Sequence, residues 1–387
     1  MPRPTVHLTP AALAAVVLAI VLAAFGTACA DETVGQQRRD SRAETEVEAR
    51  TLTRRDPAAD GRFLVGVLVA RTGPLAAADA RVLAGIEAAV TALRARGVPP
   101  TLIPELEIVD TTSDLPTATT AAGRLLDRDA DVIIVGCDPE IARNATLAAS
   151  RSGRLVLAPC VGDAGVDHSG VLFTFGPDDD AQGRVLAEQA MSVGLDTAAA
   201  VSELTPADGS RVCRAFVARY QQLGGRMLAE LEQPLGVGAD VSARNLARLE
   251  RPDVVISCVT TSSVAVLVST LRELGIATPV LATAAADGAG IVDPTVAYLE
   301  PAPLRPPTPA VQALVDAGVP GTSAVTVLSA LAVELLVGAA ADAGTVEGSG
   351  LAAALRSPAS AARADGLTFD DRQRLVLPLG LVPATGA

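Results

Sequence analysis

The residue types that usually carry chemistry are few in this chain and poorly spaced for it. Beyond residue 30 there is one histidine, His168, with Asp163 and Asp167 close by. A hydrolytic triad needs an imidazole held between an acid and a nucleophile, and no Gly-x-Ser-x-Gly elbow accompanies this one. His168 therefore reads as a surface-loop residue. The chain contains no lysine, so the phosphate-cradling Gly-rich loop that ends in Lys-Ser/Thr cannot occur. Gly236-Val237-Gly238 lacks the third glycine and the strand–turn–helix setting of a dinucleotide loop, and reads as a turn. Asp178-Asp179-Asp180 has neither the ligand count nor the spacing for calcium; acids at a helix start are the simpler reading. The five cysteines stand at 29, 137, 160, 213 and 258, with no Cys-x-x-Cys or His-x-x-His spacing for zinc. These residues predict no enzyme, no metal and no cofactor. Leaving Cys29 aside, four cysteines allow three disulfide pairings, or four buried thiols.

Composition narrows the partners. The formal net charge of −13 and pI near 4.7 deny the cationic surface that nucleic acid requires. Aromatic residues make up 2% of the chain while 49% is hydrophobic, so the core must be aliphatic. The N-terminus carries Arg3 and then an unbroken run of Ala, Val, Leu and Ile over 11–24, which has the form of a secretory signal. Phe25-Gly26-Thr27-Ala28-Cys29 follows, and small residues before a cysteine resemble the bacterial lipobox, with Gly26 where leucine is usual. The expectation is a signal peptide over 1–29, lipidation at Cys29 and a membrane anchor through that lipid alone. Ordinary cleavage after Ala30 and an uncleaved anchor over 11–30 stay open. All three place the remainder outside the cytoplasm. Residues 30–61 are rich in Arg, Asp and Glu and read as a disordered tether of roughly 30 Å.

From Phe63 the pattern becomes regular. Continuous apolar runs at 63–70, 106–110, 131–136, 155–159 and 171–175 have the length of strands buried on both faces. Segments of helical spacing separate them, for example Val82, Leu83, Ile86, Ala89, Val90 and Leu93. A second set begins at 180, with strands at 198–202, 226–231, 253–258 and 279–283. Alternation of this kind specifies α/β architecture: two doubly wound parallel-sheet lobes covered by helices. Residues 301–309 carry five prolines and cannot be regular helix or central strand. The very apolar 323–343 reads as a core helix because it contains Glu334, and GLTF (366–369) and 374–382 read as closing strands.

Three stretches carry a resemblance. VGVLVARTGPLAAADARVLAGIEAAV, FTFGPDDDAQGRVLAEQA and GLTFDDRQRLVLPLGLV occur in the order, and at about the separations, of the type I periplasmic solute-binding proteins, leucine/isoleucine/valine-binding branch. The resemblance implies lobe one over 62–176 plus 305–360 and lobe two over 177–290 plus 366–385. Crossovers are implied near 175–178, 284–308 and 358–366, with 291–304 as connecting chain. It implies a small-molecule ligand in the interlobe cleft, delivered to the permease of an ABC importer; the rival is a sensory or scaffolding protein that kept the fold and lost or changed its ligand. The family's strand order makes the strands before Cys137 and Cys160 neighbours, which implies Cys137–Cys160 and then Cys213–Cys258. The cleft residues it implies are Thr72, Gly73, Asp138, Glu140, Gly162, Asp163, Asp208, Thr260, Thr261, Ser262 and Asp287. Asp287 stands where the family presents an acid to a ligand ammonium. The family's hydroxyls and aromatic clamps are missing, since Tyr220 and Tyr298 fall elsewhere. A small polar or cationic ligand held partly by Asp287 is therefore the expectation, in place of a branched-chain amino acid bound in the family's way.

Overall fold

The computed structural model describes residues 62–162, 170–204, 209–301, 309–316, 318 and 323–385. The signal segment, Cys29, the tether, Asp163, His168 and Asp208 lie outside them. The first sheet contains β1 (Leu64–Val69), β2 (Glu105–Asp110), β3 (Val132–Val135), β4 (Leu155–Ala158) and β5 (Leu172–Thr174), all parallel in the order β2-β1-β3-β4-β5. Alternate residues of these runs feed two cores, as the pleat requires. Val65, Val67, Val132 and Ile134 face α1 (Ala76–Ala95), while Leu64, Leu68, Ile133 and Val135 face α2 (Leu115–Asp127) and α3 (Pro139–Ser150). Coverage on both faces is the reason these strands read as continuous apolar runs.

The second sheet orders β11 (Leu379–Thr385), β10 (Val292–Pro301), β9 (Val280–Ala282), β8 (Val254–Cys258), β6 (Thr197–Leu204) and β7 (Arg226–Pro234). Only β11 is antiparallel. One face carries α4 (Asp179–Ser192) and α5 (Gly209–Gln222); the other carries α6 (Ala239–Leu246) and α7 (Thr261–Glu273). After α8 (Pro309–Asp316), the long α9 (Ala324–Ala343) returns to the first lobe and packs along α1, followed by α10 (Gly348–Leu355) and α11 (Pro358–Arg363). By length and a hydropathy of 2.1, α9 could cross a membrane, but 78% of that window is buried inside the protein. Its Glu334 reaches the surface of the lobe, where it pairs with Arg96.

The lobe boundaries differ from expectation in two places. Residues 291–304 are not mere connection, because Val292–Pro301 forms β10 and completes the second sheet. The third crossover also lies later than 358–366. Leu367, Phe369, Leu375 and Leu377 still pack in the first lobe, where Phe369 sits edge-on to Phe173 and Phe175. GLTF is accordingly not a strand; it contributes a single bridge, Phe369 to Leu375. The Asp370 carboxylate accepts from Arg372 N and Arg374 N and turns the chain there. Crossing to the second sheet comes between Leu377 and Leu379.

Two features pin the carboxyl ends of the first sheet. Asp79, in the first turn of α1, is 3% exposed and accepts from Ala70 N (2.6 Å) and Cys137 N (2.7 Å). It thereby ties the ends of β1 and β3, where the strand order reverses. Gly136 is required beside it, since a Cβ there would lie 2.3 Å from the carboxylate. The second feature is covalent: Cys137 is joined to Cys160 and Cys213 to Cys258, with Cα separations of 4.8 and 5.9 Å.

Closing loops of 23 and 45 residues stabilises by about 3 and 4 kcal/mol on chain-entropy grounds. Cys213→Ser/Cys258→Ser should lose about 4 kcal/mol by denaturant titration, and mass mapping without reductant should recover peptides joining 137 to 160 and 213 to 258. Burial pushes the Asp79 carboxyl up to about 7, against the pull of its two N–H bonds, from an ordinary 3.8. The folded chain therefore holds a proton that the unfolded chain releases, and the stability this supplies is present below pH 3.8 and lost as pH rises through 7. Between pH 5 and 8 the wild type should lose about 2 kcal/mol more than Asp79→Asn; equal slopes in urea titrations would refute this.

Candidate functional site

The carboxyl ends of β1 to β9, or the loops that follow them, line one interlobe cleft of about 330 Å³. Open α/β sheets place ligand sites outside the carboxyl ends of their strands, near the switch in strand order. From lobe one the walls are Leu75, Ala78 and Arg81 after β1, Ser113 and Leu115 after β2, Asp138 and Glu140 after β3, Cys160 and Gly162 after β4, and Pro177 after β5. Lobe two supplies Glu203 and Leu204 from β6, Leu235 after β7, Val259, Thr260 and Thr261 after β8, and Thr283 to Ala285 and Asp287 after β9. The lower face is closed by Ala324, Val325 and Leu328 of α9. Most of this wall is aliphatic.

Its acids are engaged at helix starts, where backbone N–H groups collect. The Asp138 carboxylate caps α3 by accepting from Glu140 N and Ile141 N, and burial holds it above the usual carboxylate range. Asp179, 1% exposed in the first turn of α4, pairs with Arg211 at 3.7 Å, and its neighbour Asp178, outside the cleft lining, caps α4 through Ala181 N. Glu203 accepts from Gly236 N (3.0 Å) and Thr260 N (2.8 Å), bracing two loops of lobe two. Asp287 is 2% exposed, and its Oδ2 accepts from Ser323 Oγ and Ala324 N at the start of α9. Gln182 ties the first crossover to lobe two, donating to Pro177 O and accepting from Ala284 N.

Among the described residues one basic side chain lines the cleft. Arg81, half-buried on α1, donates to Gly288 O at 3.0 Å and contacts Thr261 Oγ1 at 3.4 Å. Both acceptors belong to lobe two.

The structure brings together Asp138, Glu140, Gly162, Thr260, Thr261 and Asp287 of the residues expected from sequence. Thr72 and Gly73 do not line the cleft: Thr72 is exposed and its carbonyl accepts from Ser113 Oγ, while Gly73 lies against the same hydroxyl. The loop turns them outward and presents Leu75 instead. Ser262 is likewise exposed, one residue past the inward-facing Thr261. Asp287 carries a helix cap rather than an uncommitted carboxylate, so the expected ammonium acceptor is already in use. Glu140 pairs with Arg143 one turn on, at 3.4 Å. Tyr220 is buried under α5, its hydroxyl on Leu195 O, and Tyr298 lies in β10. Ser113, Arg81, Glu203 and Gln182 were missed. An arginine on the exposed side of an apolar helical stripe gives no sign that another lobe will meet it. Glu203 ends an apolar run, and that position was the one available signal.

The profile of the periplasmic binding protein family matches residues 64–375. No curated protein matches the sequence. A branched-chain amino acid transporter substrate-binding protein from Streptococcus pneumoniae, in complex with isoleucine, superposes with a TM-score of 0.71 at 16% identity, over 83% of this chain and 96% of its own. A leucine-binding protein from Thermotoga maritima gives 0.70 at 18%, over 82% and 94%. A solute-binding protein of an ABC transporter from Rhodopseudomonas palustris, in complex with 3,4-dihydroxybenzoic acid, gives 0.71 at 16%, over 84% and 93%. At such identities these structures share a fold with this chain, two α/β lobes around a cleft. With the profile spanning most of its length, the chain belongs to the periplasmic binding protein family.

Proposed function

We propose that this protein is an extracytoplasmic solute-binding lipoprotein that captures one small ligand between its lobes, releases it unchanged and serves an ABC importer. The observation that carries this reading is the convergence of the carboxyl ends of β1 to β9 on one cleft of about 330 Å³. That volume fits a ligand of amino-acid or aromatic-acid size. The aliphatic wall of Leu75, Leu115, Leu235, Val259 and Leu328 favours a ligand with an apolar body. With Asp138, Glu203 and Asp287 committed to backbone N–H groups, a polycation finds no uncommitted acid among them. Similar structures hold isoleucine, 3,4-dihydroxybenzoic acid and benzoate, each a small apolar body with a carboxylate. The expected ligand class is revised accordingly, from small polar or cationic to apolar-bodied. Lipidation of Cys29 and a tether over 30–61 would hold the cleft near a permease at the membrane face.

A thermal-shift screen tests the ligand class, because a ligand that binds only the folded state stabilises it by about 2.7 kcal/mol at 100 times its Kd. Leucine, isoleucine or benzoate should raise Tm and putrescine should not; the reverse pattern refutes the class. Leu235→Glu, which puts a charge into the apolar wall, should abolish that shift with the ligand-free Tm nearly unchanged. Asp287→Ala should instead lower the ligand-free stability by about 1 kcal/mol, the worth of a helix cap. For the anchor, Cys29→Ser should move the protein from the membrane to the soluble extracytoplasmic fraction; wild type already free in that fraction, beginning at Asp31, would overturn lipidation.

A further inference from the structure

Arg81 stands out because its contacts do not serve its own lobe. It projects from the second turn of α1, two residues after Asp79, which fixes that turn to the ends of β1 and β3. The guanidinium leaves lobe one, crosses the cleft and ends on two acceptors of lobe two, Gly288 O and Thr261 Oγ1. Thr261 in turn donates to Ala285 O at 2.7 Å, so both acceptors are anchored to the short helical turn Ala284–Ala286. Asp287, beside that turn, faces the guanidinium electrostatically and favours its charge, while burial lowers the guanidinium pKa from its ordinary value.

The receiving site is shaped for this one side chain. Gly288 has φ +68, a conformation that other residues adopt at a cost. A Cβ on it would lie 2.8 Å from Arg81 Nε and 2.9 Å from its Cζ. The glycine is therefore needed twice, once by the turn and once by the arginine lying against it.

We infer that Arg81 is a latch: its guanidinium, seated on Gly288 O and Thr261, holds the two lobes together through the chain's own atoms and so sets how readily the cleft opens. A protein whose binding-competent form is only partly populated binds more weakly in proportion. The latch lowers the open population, the form that admits ligand, and adds to the closed form once the ligand is inside. It follows that removing the latch speeds entry and exit together. Asp287 contributes to the same closure from the other side, by capping α9 of lobe one from lobe two.

This inference rests on reading the cleft as the ligand site, but its test uses no ligand, so a failed ligand screen leaves it standing. Small-angle scattering is measured on the ligand-free chain as wild type, Arg81→Gln and Gly288→Ala, with Arg62→Gln, in an exposed pair with Glu105 and outside the cleft lining, as a control. Gly288→Ala keeps the arginine and drives it off its seat, so the two variants reach one state by different routes. Both should shift the radius of gyration upward, and amides around 285–290 should exchange on the order of tenfold faster, as expected for losing a charge-assisted hydrogen bond. Circular dichroism melts should show each variant folded. Arg62→Gln should match the wild type in all three measurements. If either latch variant, shown to be folded, gives the wild-type scattering profile and exchange rates, the inference is overturned.

Discussion

One buried carboxyl group organises the binding half of lobe one. Parallel strands whose order reverses leave a gap between their ends, and Asp79 fills it by accepting the N–H groups that follow β1 and β3. The cost of burying an acid is visible in its raised pKa. The return is that Cys137 is fixed in place, and through it the disulfide to Cys160, the Asp138 cap on α3 and one wall of the cleft. Arg81, two residues along the same turn, inherits its aim across the cleft from the same bond pair. Replacing Asp79 would thus disturb a wall, a cap and an interlobe contact together.

The second lobe solves the same problem differently. Glu203 does there what Asp79 does in lobe one, holding Gly236 N and Thr260 N from the end of β6, next to the reversal between β6 and β8. Cys258, two residues before Thr260, is tied to α5. Each lobe therefore has one acid and one disulfide at the ends of its central strands. Both devices serve loops that would otherwise carry unpaired backbone groups at the mouth of a cleft.

Much of the fold was legible because burial on both faces writes a strand as an unbroken apolar run, and runs such as FLVGVLVA and DVVISC leave little choice. The disulfide pairs followed once strand order was supplied by resemblance. Legibility failed where structure depends on what lies across a gap. VDPTVAYLEP was assigned to connecting chain by the resemblance, yet it is an inner strand, with a bulge between Asp293 and Ala297. Leu367 and Phe369 are apolar for packing against Phe173 and Phe175, not for pairing in a sheet. In the cleft, Asp287 was visible as an acid but its partner Ala324 N, 37 residues on, was not. Thr72, Gly73 and Ser262 lie in the expected loops but outside the cleft lining, since a loop's place can be read from its flanking strands but the facing of each side chain cannot.

The disulfides are both confined within lobes: 137 to 160 in the first, 213 to 258 in the second. No covalent bridge spans the crossovers among the described residues. In mechanical terms each lobe is a separately cross-linked plate, and relative motion of the two is left to the joint at the crossovers and to noncovalent contacts across the cleft. The hydrogen bonds at that joint, Gln182 to Pro177 O and Ala284 N, then act as a spring whose stiffness can change without altering either plate. Evolution of a family built this way can retune opening through a few residues near 177, 182 and 284 while leaving the strands and their cross-links alone.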